Sequence, residues 1–416
     1  MGQYFTRERY GRPQVLAGFL LLAFLGQGLW LVRMDSSVPN AGPRYYGAEA
    51  MRLVVGWRQW HGEGIAGAPY PNFRNEPVPD GIPEDGFDTE HSPLIPLITA
   101  APLLVLPQNW HAGLSDSWPW LSALFLRLPF LACGVLLGAS LWYVARRLCG
   151  NAGGFVALTL YCFSPSLIQA SAVWHTEPEI VAAWGAFGTV FTAIAVGHTL
   201  YAPREVVLWN WRRIVLLGVA LAISVGAQFS MIVLVPLALA FLLYVAPVRR
   251  QAGTVIWIAA CVVGFVLLLA TYFFHLHAFV EGMRHADFWG ATWRGFTVPG
   301  VYRQVAAQVG RACPALAVAF PIAIVTYTVW PRTRYFGNTA PLMVAALFLA
   351  LGMAHPHAGG EGFLLAAVPF LMIFVSGVLA DLMETRYRSW MTAGVVGMLA
   401  AYVVWSLLNL AQVPRG

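Results

Sequence analysis

Eleven apolar runs of 14 to 26 residues, with an Arg pair in five of the segments between them, constrain this chain more than any other feature. They are Val15–Val32, Trp120–Ala145, Gly153–Ala172, Ile180–Gly197, Ile214–Ala227, Phe229–Val245, Val255–Phe274, Cys313–Trp330, Ala340–Ala354, Phe363–Ala380 and Met391–Leu410. A bilayer core is crossed by about 20 apolar residues of helix, and hydrocarbon forces such a segment to satisfy its own backbone. Only 11% of the residues are charged, against roughly 25% in a soluble domain. The runs therefore predict an all-α polytopic membrane protein of about eleven transmembrane helices, forming one transmembrane domain over residues 1–416. The N-terminal run is long enough to span and is followed by RMDSS, not by a small-residue cleavage site, so it reads as a retained helix.

All 25 basic residues are Arg, and most lie in pairs between apolar runs, so the net charge of +6 implies no nucleic-acid partner. The five Cys lie in or beside the runs without CxxC spacing and read as apolar fillers.

Arg near helix ends marks the cytoplasmic side. With the N-terminus inside, Arg146/Arg147, Arg212/Arg213, Arg249/Arg250, Arg332/Arg334 and Arg386/Arg388 all fall inside. This holds only if the proline-rich run Pro93–Pro107 does not cross, so that run is expected to lie in the outer interface or to dip in and return. In this frame only Glu8, Glu205, Asp381 and Glu384 among the 19 acids are inside, and only His198 among the 10 His. Acids contribute little to topology, so their asymmetry points to a polar site on the outer face. The location expected is the inner (plasma) membrane of a bacterium, with a cytoplasmic N-terminus and an extracytoplasmic site.

Two outer loops carry the chemistry, residues 33–120 and 275–311. The first holds an amphipathic segment, YYGAEAMRLVVGWRQW, whose Tyr, Trp and Arg suit the headgroup zone, and then Asp88, Glu90 and His91 ahead of the proline-rich run. The second holds Arg284, His285, Arg294 and Arg303 among aromatics. A shorter outer junction, SAVWHTEPEIVAAW, brings His175, Glu177 and Glu179 to a helix start. Carboxylates there suit the helix dipole, so a plain N-terminal charge preference weighs evenly against a functional role. The Arg side chains are either rim charges or holders of an anionic phosphate.

Three pieces in fixed order carry a resemblance: EHSPLIPLITAAPLL (Glu90–Leu104), RLPFLACGVLLGASLWYVARRLCG (Arg127–Gly150) and FSPSLIQASAVWHTEPEIVAAW (Phe163–Trp184). Their order over about Met1–Leu200 resembles the membrane glycosyltransferases of the GT-C fold, in particular the protein-mannosyltransferase and aminoarabinose-transferase superfamily (glycosyltransferase family 39-like). The resemblance implies a transferase that uses a polyprenyl-phosphate sugar at the outer leaflet, with a carboxylate base from the first loop. Glu49 or Asp35 would be that base, Glu49 being preferred, and Glu177 would orient the acceptor or a metal. Glu90, His91, Arg44, His175 and Glu179 would line the substrate site. Arg284, His285, Arg294 and Arg303, or a divalent cation, would hold the phosphate. Membrane lipids and a glycan, lipid or protein acceptor complete the implied partners.

The chain departs from the family pattern in three places. The Asp-Glu pair expected before the amphipathic helix reads NAGPRYY, a Lys common near Ala227–Val235 appears as Gln228, and a basic residue before the last-but-one helix is replaced by GGEG. Two other readings stay open, a polytopic transporter and a catalytically inactive binding protein of the same fold. Against the transporter, no internal hydropathy repeat or pair of corresponding interrupted helices is evident.

Overall fold

A computed structural model describes residues 7–35, 55–62, 90–105, 119–172, 179–201, 211–286, 293–354 and 358–410. Among them there is no strand. In chain order the helices are α1 (Arg7–Asp35), α2 (55–60), α3 (Leu94–Ala100), α4 (Pro119–Cys162) and α5 (Pro165–Ala172). Then come α6 (Glu179–Thr199), α7 (Trp211–Ala227), α8 (Leu234–Val245), α9 (Arg250–Thr271) and α10 (Leu276–His285). The remainder are α11 (Pro299–Ala312), α12 (Pro314–Val329), α13 (Phe336–Ala354), α14 (Ala358–Met383) and α15 (Arg388–Leu410).

Every apolar run is helical, which makes the chain the all-α membrane protein its sequence predicts. The number of spans differs from the expected eleven. Seven helices are long and apolar enough to cross a membrane, or eight if α11 and α12, bent by 113°, form one span. Three runs yield helices too short for the test: α7 has 17 residues, α8 has 12 and α12 has 16. Two further runs share α4, whose halves meet at Gly150, a glycine at φ +72°. The run Gly153–Ala172 is not one helix, because Pro165 interrupts it after Ser164. The proline-rich run forms α3 and a 3₁₀ turn, Ala101–Val105, too short to span as the prolines predict.

Contacts divide the chain into two compact units. The first comprises Met1–Val38, Leu131–Trp174 and Thr292–Gly416. Its centre is α14, almost wholly buried, whose Phe370 and Phe374 meet the rings of Phe348, Phe320 and Tyr327. In the same unit α1 packs on α4, Phe24 lying 5.2 Å from the ring of Tyr161.

A helix end leaves its last carbonyls without intrahelical partners, and in an apolar interior each needs a donor. At the end of α4 side chains from distant helices supply them. The Gln27 amide donates to Cys162 O at 3.0 Å, the Tyr402 hydroxyl to Leu160 O at 3.2 Å, and the Ser406 hydroxyl to Phe163 O at 2.6 Å. Ser164 repeats the device by donating to Ala312 O, the end of α11, at 2.6 Å. At another place in this unit the buried Asn338 amide donates to Thr333 O at 3.0 Å and to Asp381 Oδ2 at 3.2 Å. Burial, with Cys149 and Asp381 close by, pushes the phenol of Tyr335 above its ordinary range. All five Cys are free, and Cys133, Cys162 and Cys313 are buried.

The second unit comprises Pro39–Phe130 and His175–Ala291. Its helices approach closely through glycine. A Cβ on Gly185 would lie 2.6 Å from Ser224 N, and one on Gly218 would lie 2.7 Å from Ala260 O. The pairs Gly185–Ser224 and Gly188–Ala220 run in opposite directions, so α6 is antiparallel to α7. Gly218 against Ala260 and Gly226 against Leu268 advance together, so α9 runs parallel to α7.

Candidate functional site

A break in the helical ladder forms the site's frame. Helix α7 stops at Ala227, Gln228 is extended (φ −155°, ψ 115°), and the chain resumes as a 3₁₀ turn, Phe229–Val233. Such a break strands backbone groups at membrane depth, which persist only when something else satisfies them. The segment Glu90–Ser92 does so. Phe229 N–H donates to Glu90 O at 2.8 Å, and Ser92 donates to Gly226 O through both its N–H (3.0 Å) and its hydroxyl (2.8 Å). Ser92 Oγ also accepts from Leu94 N–H at 3.2 Å, at the start of α3.

These bonds hold Glu90 and His91 beside the break. His91 Nε2 lies 4.0 Å from Glu90 Oε2, with side chains 13% and 41% exposed, so the imidazole is largely enclosed and the carboxylate remains reachable. Helix α2 covers α3. Gly56 lies so close to Pro96 O that any side chain would collide, and the Trp60 indole donates to Leu97 O at 3.0 Å.

The antiparallel register brings other residues to the same end of this unit. Glu179, half-buried at the start of α6, stands there because residue 185 already faces residue 224. Helix α9 ends there too, and α10 folds back on it: Phe279 meets Tyr272 edge-on at 5.4 Å, within a cluster that includes Val225 and Phe229. On α10, Arg284 pairs with Glu281 at 2.7 Å while staying 69% exposed, and His285 Nδ1 donates to Glu281 O at 2.9 Å.

Of the residues singled out from sequence, Glu90, His91, Glu179, Arg284 and His285 thus share one end of the second unit. Arg294 and Arg303 belong to the first unit, Arg303 as an exposed residue of α11. Asp35 closes α1, also in the first unit, but its side chain lies outside the described residues, as does that of Arg294. Arg44, Glu49, His175 and Glu177 lie outside the described residues altogether.

Arg127 escaped the sequence reading. It sits two turns inside α4 with its side chain fully buried, and its signal was a charged residue within an apolar run. Among the described residues no group of three or more His, Cys, Asp or Glu could hold a metal ion.

No protein-family model matches this chain, and no curated protein matches it by sequence. Solved structures do match it in fold. The oligosaccharyltransferase AglB of Archaeoglobus fulgidus, in complex with an inhibitory peptide and a dolichol-phosphate, aligns at TM-score 0.56 and 10% identity over 95% of this chain. The same organism's oligosaccharyltransferase in complex with Zn and sulfate aligns at 0.54 and 13% identity over 94% of it. ArnT from Cupriavidus metallidurans, bound to undecaprenyl phosphate, aligns at 0.54 and 14% identity over 97% of this chain and 72% of that one. The chain spans about half the length of the archaeal structures, 55% and 52%. AglB and ArnT are both membrane glycosyltransferases of the GT-C fold, and this chain therefore has a GT-C-like fold.

Proposed function

We propose that this protein is a glycosyltransferase that moves a sugar from a polyprenyl-phosphate donor to an acceptor at the outer face of a bacterial inner membrane. The reading is carried by one observation: the likeness in fold extends over nearly the whole chain to two transferases solved with dolichol-phosphate and undecaprenyl phosphate. Glu90, His91, Glu179, Arg284 and His285, at one end of a unit, supply the kinds of group that glycosyl transfer uses: carboxylate, imidazole and guanidinium.

In the proposed reaction an acceptor hydroxyl or amine attacks the anomeric carbon of the donor sugar. The bond from that carbon to the phosphate oxygen breaks, and the polyprenyl phosphate leaves with the electron pair. A carboxylate, Glu49 or Asp35, takes the proton from the attacking group. Glu177 orients the acceptor, and His91 contacts the sugar or the departing phosphate. Arg284 and His285 place positive or donor groups where phosphate charge develops. With Arg pairs inside, the N-terminus is cytoplasmic and the site extracytoplasmic.

The test is turnover. Purified protein in lipid nanodiscs, given radiolabelled polyprenyl-phosphate sugars with mixed lipid and glycan acceptors, should release polyprenyl phosphate and label an acceptor. Donor binding with no release would favour the inactive binding protein. Uptake of a solute by proteoliposomes without any release would favour the transporter.

A further inference from the structure

Three buried hydroxyls, Ser171, Ser224 and Thr99, each donate to a carbonyl of their own helix at 2.7 to 2.9 Å. Ser230 does not. Its side chain is buried, at 7% exposure, and its Oγ has no hydrogen-bond partner among the described residues. Ser230 lies past the break at Gln228, in a 3₁₀ turn with no regular helical turn behind it, and Gly226 O, four residues back, is already taken twice by Ser92. Gln59, on the buried face of α2 at 4% exposure, also carries an Oε1 with no partner.

Both residues flank the segment that frames the site. Ser230 follows Phe229, which binds Glu90 O, and Gln59 precedes Trp60, which binds Leu97 O. A second orphan hydroxyl, Thr189, lies further along α6, a full turn beyond the level of Ser224. A buried polar atom left without a partner costs about 1–3 kcal/mol, so a native structure keeps one where a ligand or water completes it.

The chemistry selects the ligand. An unmatched Gln Oε1 is an acceptor and needs a donor, whereas a phosphate offers only acceptors. A sugar offers neutral O–H groups that can donate to Oε1 and exchange either role with a serine hydroxyl. We infer that Gln59 and Ser230 form a subsite for hydroxyl groups of the sugar carried by the donor lipid, separate from the groups that hold its phosphate. This rests on the transferase reading above.

The experiment compares undecaprenyl phosphate with undecaprenyl-phosphoryl mannose, glucose and aminoarabinose by native mass spectrometry and thermal shift. It uses the wild type, Gln59→Leu, Ser230→Ala and the double variant. The wild type should bind at least one sugar-bearing lipid about tenfold tighter than the bare lipid. The double variant should lose that preference, bind the bare lipid as before, and melt no lower than the wild type without ligand. A preference retained in the double variant overturns the subsite and leaves the transferase reading intact. Variants that melt lower without ligand also overturn it, since the two groups would then have partners inside the protein. A wild type that binds no polyprenyl phosphate overturns the transferase reading and the subsite with it.

Discussion

Ser92 and Gly226 are joined twice, the N–H and the hydroxyl of the serine both donating to the glycine's carbonyl. A loop residue thereby replaces the helical turn that α7 lacks at Gln228. The pair fixes where Glu90 and His91 stand, because those residues immediately precede Ser92. Ser92→Ala keeps the backbone bond but removes the hydroxyl's bonds to Gly226 and Leu94. The expected loss is about 1 kcal/mol, seen as a melting point a few degrees lower in detergent. An unchanged melting point would mean that the break holds itself open without the loop.

Gly56 allows α2 to lie against α3 with no side chain between them. Gly56→Val should lift α2 away and expose residues 55–62 to proteases, while Gly18→Ala, where nothing lies within 4 Å, should change neither folding nor proteolysis. Limited proteolysis read by mass spectrometry checks this. Equal protection in both variants would count against the packing described.

Loss of a general base costs about 10²–10⁴ in rate. Glu49→Gln and Glu177→Gln should each reduce transfer at least 100-fold while the protein elutes as a single folded peak. Asp35→Asn separates the two candidate bases. If it alone abolishes transfer and Glu49→Gln does not, the base lies at the end of α1 instead of in the loop.

Asn338 joins α13 to Thr333 and to Asp381 of α14 from a fully buried position. Asn338→Leu would strand a carbonyl and a carboxylate, and a loss of about 1–3 kcal/mol is expected. Chemical denaturation in mixed micelles measures it, and no loss would show that the amide's contacts are readily replaced.

The arrangement of Arg pairs makes a plain prediction about sides. In a Cys-free background, His277→Cys should react with an impermeant maleimide on intact cells and Tyr387→Cys should not. The opposite result would invert the topology and place the proposed site in the cytoplasm.

Much of this architecture could be read from the sequence because a bilayer demands length, and length is local information. All eleven apolar runs are helical for that reason. The polar Gln228 also divided two runs where α7 actually stops. What could not be read is what fills the break, since Ser92 and Gly226 are 134 residues apart and no local rule links them. The spans number fewer than eleven because α7, α8 and α12 are short and two runs share α4 across Gly150. Arg127 opens a motif whose resemblance lies in its overall pattern, and that pattern carries no sign that this one side chain is buried. For the site, Glu90–His91 and Glu179 lie far apart along the chain; the resemblance implies one substrate site for them, and the antiparallel register of α6 and α7 together with the bonds of Glu90–Ser92 to α7's end brings both to one end of the unit.

The capped end of α4 has a consequence for how the protein is made. Phe163 O receives its donor from Ser406, 243 residues later. Leu160 O waits 242 residues for Tyr402. While the ribosome is still translating the intervening segments, α4 enters the bilayer with these carbonyls unanswered, and nascent chains arrested before Ser406 must keep water or a chaperone at that depth. Helix α15, which presents most of its surface outward, is therefore the segment whose arrival lets the earlier part of the unit shed its water and close.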